Sequence, residues 1–257
     1  MTLKSNIFNL EGCTALVTGS SRGLGLYFAE GLAQNGATVI LNGRDLKTVE
    51  NAVTQLREKG YKADGFVFDI TNPEEVKDKV QQIEQQIGPL DILVNNAGIQ
   101  IRNKLEDFDI DDWNNILNVN LTGAFVVSKE VVRGMINRKK GKIVNICSLQ
   151  SELGRQTIAP YAASKGGLKM LTRAMCVEWA QYNIQVNAIG PGYFKTEMTR
   201  KLWENPEFDS WIRGRTPSER WGNPEELIGS VVFFASDASN FVNGQIIYVD
   251  GGILAAI

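Results

Sequence analysis

The 257-residue chain contains no histidine. Histidine-based triads and histidine-ligated metals are therefore excluded, and any acid–base step falls to Tyr, Lys, Asp, Glu or water. Cysteine is nearly as scarce. Cys13, Cys147 and Cys176 are odd in number and show neither metal-ligand spacing nor a paired framework, so no metal and a reducing cytoplasm are expected. Cys147 directly precedes Ser148 and reads as a small buried apolar residue facing away from any site, not as a nucleophile. Residues 1–12 carry one Lys and no apolar run of signal-peptide length, and no other stretch approaches a membrane span. An excess of one charge is also missing. The 27 Lys and Arg against 29 Asp and Glu leave a formal charge of −2, spread along the chain, which argues against nucleic acid as a partner. Repeats, low-complexity tracts and flexible linkers are absent. With 43% hydrophobic and 22% charged residues, one globular domain over 1–257 is expected.

The stretch 145–165 carries the most chemistry. Residues 142–146 form a short apolar run that reads as a strand, and Pro160 can open a helix at its first position. Tyr161 and Lys165 stand four apart on that helix, so both side chains share one face. Ser148 comes at the strand's end, where the loops of an open α/β sheet build sites. A phenol, an ammonium and a hydroxyl converging there can exchange a proton with a substrate alcohol or carbonyl. A free phenol titrates near about 10, and a neighbouring ammonium should lower that value toward the working range. An accidental Tyr-x-x-x-Lys on an amphipathic helix is the competing reading.

Upstream, the apolar run 13–17 enters Thr18-Gly19-Ser20-Ser21-Arg22-Gly23-Leu24-Gly25, and a helical pattern follows to residue 35. A strand, a glycine-rich turn and a helix N-terminus hold a pyrophosphate, although such a turn can also be only a turn. The second strand, 37–41, ends in Asn42-Gly43-Arg44-Asp45. Where an acid would grip a ribose 2′-hydroxyl there are Asn42 and Gly43, with Arg44 next and Arg22 in the glycine loop. Two guanidiniums and no carboxylate suit the 2′-phosphate of NADP; Asp45 reads as the N-cap of the helix running to 59, and a solvated surface charge is the alternative for Arg44. A third strand, 66–69, places Asp69 to meet an adenine amino group. Residues 71–75 start a helix with a capping residue, Pro73 and early acids. The strand 92–94 ends in Asn95-Asn96-Ala97-Gly98, a backbone surface for a cofactor or a simple turn. Residues 113–137 read as largely helical and carry Asn120, unfavourable there unless it has a polar task such as binding a water.

After the helix to about 182, whose Leu168, Leu171 and Met175 stripe reads as core or subunit contact, 184–189 is a sixth strand leading to Pro191, Gly192 and Thr196. Residues 193–222 read as irregular, hold Trp203, Trp211 and Trp221, and suggest a substrate-covering lid. A last main helix starts at 223–226, a final strand spans 245–249, and the apolar tail 253–257 suggests a contact with another subunit.

Taken in order, these motifs resemble the short-chain dehydrogenase/reductase family over essentially the whole chain: Thr18 to Gly25, Asp69, Asn95 to Gly98, Asn120, Ser148, Tyr161-x-x-x-Lys165, and Pro191-Gly192 with Thr196. The resemblance implies an α/β fold, a doubly wound Rossmann-type sheet of seven parallel strands flanked by helices, and a nicotinamide cofactor. It implies a tetrad in which Tyr161 transfers the proton, Ser148 holds the substrate oxygen, Lys165 lowers the phenol's pKa and binds the ribose, and Asn120 holds a water. Cofactor contacts would come from Gly19, Ser21, Arg22, Gly23, Leu24, Gly25, Arg44, Asp69, Ile70, Asn96, Ala97, Gly98, Tyr161, Lys165, Pro191, Gly192 and Thr196. Cys147 stands where a second Ser is frequent. The runs 145–155, 161–166, 191–198 and 220–222 are most similar to members acting on sugar acids. A sugar acid needs a cation for its carboxylate; Arg102 and Arg155 follow site-forming segments, with Gln150 and Ser151 near the hydroxyls, unless those arginines make structural ion pairs. Another sugar acid, a polyol or a small ketone is an alternative substrate, and a non-catalytic NADP-binding sensor an alternative function, which the intact tetrad opposes. The family also implies a homotetramer paired through the helices at about 113–137 and 160–182.

Overall fold

The computed structural model describes residues 6–197 and 199–256. Part of the 1–12 segment, Met198 of the 191–198 run and Ile257 of the tail lie outside the described residues. Seven short apolar runs become strands: β1 Thr14–Val17, β2 Thr38–Gly43, β3 Ala63–Val67, β4 Leu90–Asn95, β5 Gly141–Ile146, β6 Ile184–Pro191 and β7 Ile246–Val249. Their order is β3-β2-β1-β4-β5-β6-β7, and every pairing is parallel. Strands covered on both faces read as continuous apolar runs rather than as alternating ones. Accordingly β1, β4, β5 and β6 are buried along their whole length. The third strand lies earlier than the apolar run 66–69 suggests, because its ladder with β2 begins at Val39–Ala63 and ends at Gly43–Val67.

The crossovers are α1 Gly23–Gln34, α2 Leu46–Glu58, α3 Pro73–Gln86, α4 Ile110–Leu117, α5 Gly123–Arg138 and α6 Ala159–Trp179. Asp45 caps α2, accepting from the Thr48 N–H at 2.9 Å, and Asn72 caps α3 with Pro73 at its start. One apolar layer joins Phe28, Leu32, Val49, Leu56, Val231 and Phe234 under one face of the sheet. The other joins Val76, Ile83, Val127, Val131, Met135 and Met175 under the opposite face. Leu168 and Met175 are core residues.

The largely helical reading of 113–137 holds, with a finer division, and the irregular reading of 193–222 is corrected. The helical region expected at 113–137 is two helices joined by a π-helical turn, residues 118–122, with Asn120 inside it. The segment 193–222 is not irregular: it holds α7 Arg200–Trp203 and α8 Pro206–Arg215. Asn205 caps α8 through the Phe208 N–H at 3.0 Å, and Pro206 follows the cap, a start signal masked by the aromatics and charges around it. The base of the segment is pinned where the Gly222 N–H donates to Tyr193 O (2.9 Å) and the Lys195 N–H to Gly222 O (3.0 Å). A final helix, α9 Ile228–Ala235, precedes β7. In the tail, Ile253 is 3% exposed within its own chain; Asp250 accepts from the N–H groups of Gly252 and Leu254 and folds the tail back.

Candidate active site

β1 and β4 are neighbours although their crossovers leave in opposite directions along the sheet. Crevices form at the carboxyl ends of strands at such a reversal. Here that crevice is a cavity of about 550 Å³.

One wall is the glycine turn after β1. Gly19 has φ 61 and packs so tightly on Ala97 that a Cβ would lie 2.8 Å from its Cα, whereas Gly23, at φ 59, has open space where a Cβ would stand. The start of α1 thus faces the cavity with bare backbone and no acid in its first turn. Such an N-terminus favours an anion. Asn42 fixes this wall: it is 2% exposed, its Oδ1 accepts from the Gly19 N–H (3.2 Å), and its Nδ2 donates to Phe68 O (3.1 Å). It occupies the place of a ribose-binding acid, but its amide faces the protein. Asn96 is spent in the same way, donating to Thr18 O (2.9 Å) and Gly19 O (3.0 Å). Arg22 and Arg44 both line the cavity. Arg44 lies 3.8 Å from Asp69 and is largely exposed. Burial would raise the Asp69 carboxyl, but the Thr71 N–H and hydroxyl, with Arg44, hold it below its ordinary value. The residues present therefore fit an extended ligand carrying phosphates, including one beside Arg44.

At the other end, α6 brings Tyr161 and Lys165 to the cavity and the turn after β5 brings Ser148. Lys165 is 4% exposed. Its Nζ donates to Ile146 O at 2.6 Å and lies 5.7 Å from the centre of the Tyr161 ring. Burial lowers its pKa to about 8. The Tyr161 phenol moves up, not down: burial raises it and outweighs a hydrogen bond from Ser148. The Lys165 ammonium, bound to a backbone carbonyl, does not offset the effect of burial. The Ser148 hydroxyl has one proton to give, and it faces Gln150 Oε1 at 2.6 Å as well as the phenol. Ser151 does not face the cavity. Its hydroxyl donates to Lys165 O (3.0 Å) and accepts from the Ser148 N–H (3.3 Å), which braces the turn against α6. Asn120 stands behind the wall, 1% exposed. Its Oδ1 accepts from the Ile99 N–H (2.7 Å), and its Nδ2 donates to Ile99 O (2.9 Å) and Ser164 Oγ (3.1 Å). Both Nδ2 protons are thus committed, while Oδ1 keeps a lone pair that can accept from a water. Cys147 is 2% exposed, packs with Ala124, Leu168 and Ala188, and has its thiol pushed up by burial; contrary to the expectation that it faces away from the site, it is one of the residues lining the cavity.

Arg102 and Arg155 line the same cavity. Neither is paired with a carboxylate among the described residues. Partial burial and the Arg155 charge lower Arg102 from its ordinary value. Arg155 Nη1 donates to the Tyr193 hydroxyl at 3.3 Å. Gln150, Pro191, Gly192, Thr196, Leu24, Ile70 and Gly98 also line the space. Residues that motif reading missed are Ile99, Gln100, Val119, Ile158, Tyr193, Phe194, Glu197, Thr199 and Leu202. Only the insertion after β6 signalled the last five, and it did so as a segment, not residue by residue.

The sequence profile of the short chain dehydrogenase family matches residues 13–207. The 5-keto-D-gluconate 5-reductase of Escherichia coli (strain K12) is 52% identical over 253 residues, covering 98% of this chain and 100% of the relative. The 2-dehydro-3-deoxy-D-gluconate 5-dehydrogenase of Formosa agariphila is 47% identical over 254 residues, with 98% and 96% covered. A crystal structure of a gluconate 5-dehydrogenase from Burkholderia cenocepacia J2315, in complex with NADP and tartrate, has a TM-score of 0.95 at 49% identity, with 98% of each chain covered.

Proposed function

The chain belongs to the short-chain dehydrogenase family, and from that premise we propose that it is an NADP-dependent oxidoreductase interconverting D-gluconate and 5-keto-D-gluconate. The observation that carries this reading is the sharing of one cavity by Tyr161, Ser148 and Lys165 with two guanidiniums, Arg102 and Arg155, that have no carboxylate partner among the described residues. A sugar acid brings the missing carboxylate at one end and a reacting hydroxyl at the other. The relatives named 5-keto-D-gluconate 5-reductase and gluconate 5-dehydrogenase support the position of the reaction on the sugar.

The glycine turn, Asp69, Ile70, Ala97, Gly98, Gly192 and Thr196 would hold NADP(H), with Arg22 and Arg44 at its 2′-phosphate. When bound, that cofactor supplies or accepts the hydride. The rest is proton handling by the chain. In reduction the Tyr161 hydroxyl gives its proton to the carbonyl oxygen, and in oxidation the phenolate takes the alcohol proton. Ser148 turns its hydroxyl from Gln150 to the substrate oxygen, and Lys165, cationic below about pH 8, stabilises the phenolate as it forms. Asn120 holds a relay water through the free lone pair of its Oδ1. Arg102 and Arg155 clamp the carboxylate, and Gln150 meets a hydroxyl.

We also assign residues 193–222 to a lid over the substrate, supported by Tyr193, Phe194, Thr196, Glu197, Thr199 and Leu202 on the cavity wall. Assembly as a homotetramer through α5 and α6 is supported by exposed Phe125, Met170 and Val177 on those helices. No helix among the described residues is long and apolar enough to cross a membrane; the cytoplasm is our assignment, supported by three free cysteines.

Purified protein is mixed with 5-keto-D-gluconate, 2-keto-D-gluconate or 2-dehydro-3-deoxy-D-gluconate, each with NADPH or NADP⁺ as the redox state requires, and with the NAD pair in parallel. The account predicts rapid NADPH loss with the 5-keto acid and slow reaction in the other arms. Preferred turnover of 2-dehydro-3-deoxy-D-gluconate would move the substrate to the second relative's, and equal rates with NADH would remove the role of Arg22 and Arg44.

A further inference from the structure

Arg155 comes from the stretch between the Ser148 turn and α6, and its guanidinium lies over the covering segment's aromatic rings. Its ζ carbon is 4.7 Å from the centre of the Phe208 ring and 6.0 Å from that of Tyr193. Phe208 is itself well fixed. Its N–H is bound by the Asn205 cap at 3.0 Å, and its ring centre is 5.4 Å from Trp211, 6.0 Å from Tyr193 and 6.3 Å from Trp221. Trp221 is 2% exposed and donates its Nε1–H to Asp209 Oδ1 at 2.7 Å, locking the residue beside Phe208. A long arginine side chain without an ion partner has many rotamers, and here the aromatic ring selects one. A ring against the face of a guanidinium leaves its edge, where the N–H fork lies, free for an in-plane carboxylate. Among the described residues, only the Nη1 bond to Tyr193 draws on that edge.

We propose that Phe208 is a positioning residue for substrate selection: it holds the Arg155 guanidinium edge-on to the cavity so that the substrate carboxylate meets a fork already oriented. The inference rests on the reading of Arg155 as a carboxylate clamp. It adds that the clamp is set by α8, so that placement of the covering segment and recognition of a sugar acid are one event. Arg102, which has no aromatic ring stacked on it among the described residues, is not under this control.

The test compares Phe208→Leu, Phe208→Tyr, Arg155→Ala and the Phe208→Leu/Arg155→Ala double variant in steady-state reduction of 5-keto-D-gluconate by NADPH. Leu keeps an apolar side chain and removes the π face. Phe208→Leu is expected to raise KM about threefold to tenfold, the range of a partly buried cation–π contact, with kcat within about twofold. Phe208→Tyr restores KM, and in the Arg155→Ala background Phe208→Leu adds nothing further. The inference alone is overturned if Arg155→Ala raises KM but Phe208→Leu does not, if Phe208→Tyr is as impaired as Phe208→Leu, or if the Leu effect persists in full without Arg155. A KM unmoved by Arg155→Ala overturns the clamp reading, and this inference with it.

Discussion

At the scale of single residues, the site stores its proton on a phenol whose pKa burial has raised, beside a lysine whose pKa burial has lowered to about 8. Both shifts come from burial penalising charge, and the raised phenol stays neutral, keeping the proton that carbonyl reduction needs. Tyr161→Phe keeps the ring and deletes the donor. Turnover should fall at least about a hundredfold, the usual scale for losing acid–base help, while NADPH titration by fluorescence gives an unchanged Kd. A variant with more than a tenth of the wild-type kcat would show that another group moves the proton. These residues were legible because four-residue spacing on a helix and a position at a strand end are local properties. The direction of the phenol's shift was not legible. It follows from the burial of the phenol in the folded chain, which spacing does not encode. Asn42 illustrates the same limit. Its position matched that of a ribose-binding acid, yet its amide ties the Gly19 N–H to Phe68 O, so it builds the wall and leaves the open side to Arg44.

At the scale of elements, caps and apolar runs told most of the story. Asp45, Asn72 and the Pro73 start lie where their chemistry places them. The π-turn at 118–122 left no comparable trace, because Asn120 is bound to Ile99 and Ser164, residues 21 and 44 positions away. α4, which leads into that turn, begins at Asp109, whose Oδ1 accepts from the Asp111 N–H at 2.8 Å and the Asp112 N–H at 3.4 Å. Asp109→Ala removes the cap and should cost about 1 kcal/mol, a fall in Tm of roughly 2–4 °C for a chain of this size. Since Asp109 does not line the cavity, kcat should stay within about twofold. Calorimetry and steady-state rates check both halves, and a loss of activity without a loss of Tm would mean that the cap positions the turn rather than stabilising the helix. The covering segment was legible as an insertion but not as helices, since its aromatic residues serve the cluster around Phe208 and break the apolar period expected of α8.

At the scale of the whole molecule, the parallel sheet buries two cationic side chains at opposite ends of β5: Lys165 against Ile146, and Lys142, 9% exposed, against Asn240 Oδ1 at 2.8 Å. Burial lowers Lys142 to about 8, against the pull of Asp237. Below about pH 8 both the folded and unfolded chains hold these protons, and the fold carries the full penalty of two desolvated charges. Between about pH 8 and 10.5 the folded chain releases them first, so these two groups add to stability as pH rises, against the opposite pull of Cys147 and Tyr161, whose pKa values burial raises. Lys142→Met removes one of the two groups, so its stability over that window, read from denaturant midpoints, should change less favourably with rising pH than that of the wild type; equal changes would assign the effect elsewhere. The seven strands were legible as short runs punctuated by glycine turns or caps, except that β3 begins three residues before its apolar run at 66–69; the sheet type came from the family resemblance, and the fold-back of the tail onto Asp250 was not legible. The central claim is that this fold delivers a hydride to C5 of a sugar acid with a proton from Tyr161. Reduction of 5-keto-D-gluconate with NADPH deuterated at C4 of the nicotinamide, followed by NMR of the product, tests it most directly. The account predicts D-gluconate carrying deuterium at C5; the C5 epimer, deuterium at another carbon, or no consumption of the keto acid would contradict it.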